Sequence, residues 1–238
     1  MRSVSDNVAR MLGPILSFVF PANCSHCHAV LDHAADWLCP ACWSAIAPAF
    51  PGDSILAKTS GHLLEGGIFD GLVVPFYFEK DAALQGLVHQ LKYSGCTSIG
   101  TLLGRKCGSR WNDFAGGASP DWILPVPLHS IKKRERGYNQ SDYIARGLSM
   151  TVGGTVRTRI LRRARYTNTQ THLTISARAQ NVAGAFRVSS SRGSDMAGRV
   201  IVIVDDVVTT GATLRECGLA CRKAGAAAVI GCAAAIAV

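Results

Sequence analysis

The stretch Val200-Ile201-Val202-Ile203-Val204-Asp205-Asp206-Val207-Val208-Thr209-Thr210-Gly211-Ala212-Thr213 decides how the rest of the chain is read. Its opening, residues 199–204 (RVIVIV), is an unbroken apolar run of the kind found in parallel strands covered on both faces. A helix follows in which Leu214, Cys217, Gly218, Cys221 and Ala224 share one face and Gly225 marks the end. Residues 227–238 then supply a last strand. Strand, helix and strand in that order imply an α/β fold with a parallel sheet and flanking helices. Ligands of such sheets bind beyond the carboxyl ends of the strands, where the polar half of this stretch lies.

The chemistry of that half is specific. Thr209 and Thr210 offer hydroxyls, Gly211 lets the main chain approach closely, and the N–H groups of Ala212 and Thr213 open a helix. Together they suit a dianionic phosphate. Two carboxylates immediately before an anion cradle would repel the phosphate unless they faced something else, such as vicinal sugar hydroxyls or hydrated Mg²⁺. A sugar phosphate satisfies both halves. Capping needs one acidic residue, so a cap alone explains neither the second Asp nor the TTGAT run. No Lys follows the glycine as in a nucleotide P-loop, and GxGxxG is absent.

Working outward, residues 72–78 read as a strand, and Leu84, Leu87, Val88 and Leu91 follow helical spacing before Lys92 and Gly95 close the helix. Residues 122–126 are a short strand ending in Pro125-Val126-Pro127, and residues 137–150 a helix capped by Asn139 with Asp142. Between them Lys132-Lys133-Arg134-Glu135-Arg136-Gly137 is a basic turn. Residues 162–186 are polar, Arg-containing and long for a connector, so they are expected to be functional or mobile. The chain divides into residues 1–51 (N-terminal helix and metal module), a connector over 52–71 and the α/β domain over 72–238.

In the first part, Cys24-Ser-His-Cys27 and Cys39-Pro-Ala-Cys42 form two Cys-x-x-Cys pairs, a pattern for Zn²⁺ held by four thiolates. A closed shell of four cysteines leaves no open position, so the role is structural, and His26, His28 and His33 stay outside it. Nine cysteines cannot all pair within one chain, which favours a reducing compartment, and the expectation is cytoplasmic. The apolar stretch 12–20 contains Pro14 and is too short for a membrane span; Val8, Leu12, Leu16 and Val19 fit an amphipathic helix that is not secretory. A net charge of +9 suits polyanionic partners without choosing among them. Cys217 and Cys221, one helical turn apart, are read as core.

These segments resemble the ComF family of competence-associated, phosphoribosyltransferase-like proteins, which includes the GntX-type proteins. The resemblance runs through CSHC and LCPACW, LVHQLKYSG, LPVPLHSIKKRERGYNQ, RAQNVAGAFRV and VIVDDVVTTGAT. Only the last is shared with phosphoribosyltransferases at large. The resemblance implies a type I phosphoribosyltransferase-like sheet preceded by a small four-cysteine zinc module. It implies that Asp205 and Asp206 hold the ribose 2- and 3-hydroxyls of 5-phosphoribosyl pyrophosphate (PRPP), directly or through Mg²⁺. Thr209, Thr210, Gly211, Ala212 and Thr213 would then hold the 5-phosphate. Such an enzyme uses no protein nucleophile and works by electrostatic stabilisation of the leaving pyrophosphate, for which Arg134 and Arg136 are the candidates. Arg165, Gln170 and Arg178 would act as a closing lid, as in amidophosphoribosyltransferases, and Lys92 either reaches the site or only complements its helix dipole.

Two other functions compete with a PRPP-binding transferase associated with DNA uptake or processing. One is a single-stranded nucleic-acid binder or scaffold, with partners among DNA-uptake proteins, whose sugar-phosphate pocket is regulatory; Lys132 and Lys133 suit it best. The other is a PRPP sensor without DNA contact. No segment reveals an acceptor base or amine.

Overall fold

The structure, a computed structural model, describes residues 22–33, 36–50, 52–80, 82–163, 184–191 and 193–238. The amphipathic stretch before residue 22 and the lid candidates Arg165, Gln170 and Arg178 lie outside them. In chain order the elements are α1 (Pro40–Ser44), α2 (Ser54–Leu64), β1 (Gly71–Val73), β2 (Phe76–Phe78), α3 (Ala83–Tyr93) and α4 (Thr97–Ala115). Then follow β3 (Trp122–Pro125), α5 (Ser130–Arg136), α6 (Gln140–Val152), β4 (Thr155–Val156), β5 (Leu161–Arg163) and β6 (Phe186–Val188). The chain closes with β7 (Val200–Val208), α7 (Ala212–Lys223) and β8 (Ala228–Ala237).

The main sheet is wholly parallel in the order β1-β8-β7-β3-β4, with β2 also on β8. Its central strands are apolar throughout because each face is covered. On β7, Val202 and Val204 pack into a core with Leu87, Leu103 and Ile144, whereas Ile201 and Ile203 pack into another with Leu63, Leu214 and Cys217. This alternation is the two-residue period of a strand between helical layers. Cys217 and Cys221 are both buried in the second core. Cys24, Leu31, Leu38, Cys42 and Ile46 belong to the first core.

The edge strand is broken where Pro75 removes a donor, giving β1 and β2 instead of one strand over 72–78. Residues 47–49 cover its second half, through Tyr77 N–H to Ala47 O (2.9 Å) and Ala49 N–H to Pro75 O (2.9 Å). The stretch read as a connector carries the 11-residue helix α2. The long helix α4, unread in the sequence, crosses α6 very closely: a Cβ on Gly104 would lie 2.1 Å from Ile144 O, so only glycine fits. The helix expected over 137–150 is α6, which starts three residues later at Gln140 because Gly137 (φ 82) ends a separate short helix, α5, in the left-handed conformation. The basic segment is therefore a short helix rather than a turn.

Candidate functional site

The strand β7 runs four residues beyond the apolar run, because its pairing with β8 continues to Val208↔Ile236. Asp205 and Asp206 thus sit on the strand itself, held in a fixed backbone. Past Val208 the chain turns through Thr209 and Thr210 to Gly211, whose φ of +74° is open chiefly to glycine, and enters α7. Ala212 N–H donates to Thr210 Oγ1 (3.4 Å). Asp205, Thr209, Thr210, Gly211, Ala212 and Thr213 all line one cavity of about 40 Å³, the size of a small anion.

Asp206 is 6% exposed and has a partner at each oxygen. Its Oδ1 accepts from Val207 N–H (2.8 Å), and its Oδ2 accepts from Gln140 Nε2 (3.2 Å) and lies 2.7 Å from Lys92 Nζ. Lys92 therefore reaches the site instead of merely complementing the end of α3. Asp205 is half-buried, and its Oδ1 accepts from Asp206 N–H (2.9 Å) and Ser141 Oγ (3.4 Å). Gln140 and Ser141 are the first residues of α6, so the N-terminal end of that helix faces the acidic pair and favours its charge. Arg136 donates to Gln140 Oε1, which places it one residue removed from Asp206. Tyr138 O–H donates to Leu91 O and ties α3 to the end of α5.

Enclosure, and next the adjacent Asp206 carboxylate, push Asp205 up to about 8. The native chain then keeps a proton that the unfolded chain loses near its ordinary value of about 4. Stability contributed by that proton is full below about pH 4 and is lost as pH rises through about 8. The urea midpoint should accordingly fall with rising pH across this window, and Asp205→Asn should flatten the fall. An unchanged slope in the Asn variant would refute the shift.

Arg134 does not touch the acidic pair. It is exposed, and with Arg163 and Lys132 it surrounds His129, which burial first and those cations next hold below its ordinary value. Lys132 lines a second cavity of about 210 Å³ with Lys92, Arg136, Glu135 and Tyr138, whereas Lys133 is exposed. Gln140, Ser141 and Arg163 were not singled out in the sequence. The signal was available for the first two: a polar Asn-Gln-Ser run opening a helix directly after the basic segment. Asn139 stands at the cap position, but its amide donates to Val126 O (3.0 Å) and Asp142 Oδ1 (2.9 Å) instead of accepting from the helix.

The four cysteines converge. Sγ atoms of Cys24, Cys27, Cys39 and Cys42 all lie within 4.8 Å of one another, against about 3.8 Å expected around tetrahedral Zn²⁺ with bonds of about 2.3 Å. Burial works to raise the Cys24 thiol, but the N–H groups of Cys27, Cys39 and His26 outweigh it and bring it down to about 6. Burial, then the neighbouring thiols, push Cys42 up to about 12. Four sulfurs brought this close, one of which loses its proton easily, suit a metal cation. The cluster can hold a metal such as zinc.

Among the described residues no helix is long and apolar enough to cross a membrane. Residues 135–238 match the family profile described as Phosphoribosyl transferase domain. Competence protein F of Haemophilus influenzae is 30% identical over 217 residues, 87% of this chain and 93% of that protein. The DNA utilization protein YhgH of Escherichia coli strain K12 is 37% identical over 149 residues, 61% of this chain and 64% of that one. Among solved structures, a glutamine PRPP amidotransferase from B. subtilis aligns over 61% of this chain and 30% of its own, at 18% identity and a TM-score of 0.39, too low to carry an argument. The parallel sheet, the acidic pair near the end of its central strand, the cluster of four cysteines and a relative matched over nearly its whole length agree, and the chain belongs to the ComF family of phosphoribosyltransferase-like proteins.

Proposed function

We propose that this chain binds PRPP and transfers its phosphoribosyl group to an amine or base, in a role connected with DNA uptake or processing. The observation that carries this reading is the pairing of two adjacent carboxylates, Asp205 and Asp206, with the small cradle that follows them. Thr209, Thr210, Gly211, Ala212 and Thr213 hold the 5-phosphate through N–H and hydroxyl groups. The carboxylates orient the ribose hydroxyls. Arg136 and Lys132, lining the adjoining cavity, neutralise the pyrophosphate as the bond from C1 to its oxygen breaks and an incoming nitrogen bonds to C1. Arg134, near His129 with Lys132, adds positive charge to α5 for the pyrophosphate. The hard oxygens of the leaving pyrophosphate suit Mg²⁺, which would supply charge neutralisation there. Cys24, Cys27, Cys39 and Cys42 hold one structural Zn²⁺. Nine free thiols accord with the cytoplasm. Titration with PRPP and Mg²⁺, followed by pyrophosphate release over a panel of bases and amines, tests binding and turnover separately; no heat of binding would end the proposal.

A second reading, single-stranded nucleic-acid binding, draws on the net charge of +9, the exposed Lys133 and the names of the relatives. It predicts weak, sequence-tolerant binding that falls steeply with salt through counterion release. Lys132→Ala with Lys133→Ala should flatten the slope by about 0.7 per lost phosphate contact. Binding that is insensitive to salt, or absent at low salt, removes this reading.

A further inference from the structure

We infer that Lys92 is the resident cation of the acidic pair, standing where a divalent ion would otherwise neutralise Asp206, so that the ribose end of the site takes its sugar phosphate without a metal. This rests on the sugar-phosphate reading above and specifies how that site is charged. Asp206 has little left to offer a metal, since Val207 N–H, Gln140 Nε2 and Lys92 Nζ already occupy both of its oxygens. Asp205 accepts at Oδ1 only among the described residues, which leaves a single carboxylate oxygen for a cation. Mg²⁺ demands about six oxygens in near-octahedral array and dehydrates reluctantly. An ammonium 2.7 Å from Asp206 also opposes the approach of a second positive charge.

The position of Lys92 is built rather than incidental. It belongs to the last turn of α3, whose Leu87, Val88 and Leu91 are buried, and Tyr138 O–H clamps the carbonyl of Leu91. The lysine side chain is 25% exposed, so its ammonium has been drawn inward from a helix end where water was available. An ammonium has three donors. One serves Asp206, and the side chain also lines the 210 Å³ cavity shared with Lys132 and Arg136. Lys92 can therefore bond a ribose hydroxyl or a phosphate oxygen while neutralising Asp206. Mg²⁺ is left to accompany the pyrophosphate alone.

The zinc-loaded chain is titrated with Mn²⁺, followed by the paramagnetic signal of the free ion, and separately with ribose 5-phosphate by calorimetry in EDTA or Mg²⁺. The parent is expected to bind no Mn²⁺ below millimolar concentration. Lys92→Met should create one micromolar site, abolished in Lys92→Met with Asp206→Asn. Ribose 5-phosphate should bind the parent equally in EDTA and Mg²⁺, and should bind Lys92→Met about tenfold more weakly in EDTA, with recovery in Mg²⁺. The inference is overturned if the parent already has a micromolar Mn²⁺ site that Asp206→Asn removes. It is equally overturned if the parent needs Mg²⁺ for ribose 5-phosphate, a measurement that requires no variant to fold. If ribose 5-phosphate fails to bind in any condition, the sugar-phosphate reading falls, and the Mn²⁺ titration still decides whether Lys92 holds the place of a metal.

Discussion

Replacing Asp205 and Asp206 together by Asn should weaken PRPP binding by about a hundredfold while leaving inorganic phosphate bound. The carboxylates would accept from the ribose hydroxyls, whereas the phosphate depends on N–H and hydroxyl groups further along the loop. Removing the acidic pair beside that loop also frees Lys92 from its partner Asp206, so phosphate affinity should hold or rise. Gly211→Val should have the opposite signature and lose phosphate and PRPP alike. Its φ of +74° strains a β-branched residue, and an added Cβ would sit 3.0 Å from Leu63. The damage would come through displacement of the loop by Leu63. Calorimetry with PRPP, ribose 5-phosphate and phosphate separates the two patterns. Parent-like PRPP affinity in both variants would place the ligand elsewhere.

The zinc prediction is as large, and its readout is stability. The purified parent should carry about one zinc per chain, and Cys24→Ser with Cys39→Ser should carry almost none. The double variant should also melt at least about 10 °C lower, since structural zinc contributes directly to folding. The reason for so broad an effect is packing: Cys24 and Cys42 share a core with Leu38, Leu84, Leu103 and Val202. Trp43 reaches Phe76 on the edge strand (ring centroids 6.2 Å), and Lys106 of α4 lies over the same indole (4.9 Å). Loss of the knuckle would loosen that whole side of the sheet. Elemental analysis beside a thermal scan is sufficient, and a metal-free parent that is fully folded would refute the assignment.

Much of this was legible along the chain. The run of residues 199–204 could only be a strand covered on both faces, since no polar position interrupts it after Arg199, and the parallel sheet followed from the helix after it. Spacing alone identified the four cysteines, because two short Cys-x-x-Cys loops impose sulfur convergence locally. The acidic pair and the threonine loop were equally plain, being contiguous. What spacing does not encode is partnership across the fold. Lys92 and Asp206 lie far apart in the chain, and their ion pair exists only because α3 packs beside the end of β7. Gln140 looked like an ordinary helix start, and becomes part of the site only because α6 points its first turn at β7. Helix α4 escaped the reading because glycines at 100, 104 and 108 lower helical propensity; its packing against Gly147 in α6 is the compensation, and that is a tertiary fact. The sequence by itself determined the parallel sheet, the cysteine cluster and the loop beyond β7, each governed by periodicity or by neighbours along the chain. The tertiary structure alone decided which charges face one another there, because electrostatic interaction depends on distance in space and not on separation in sequence.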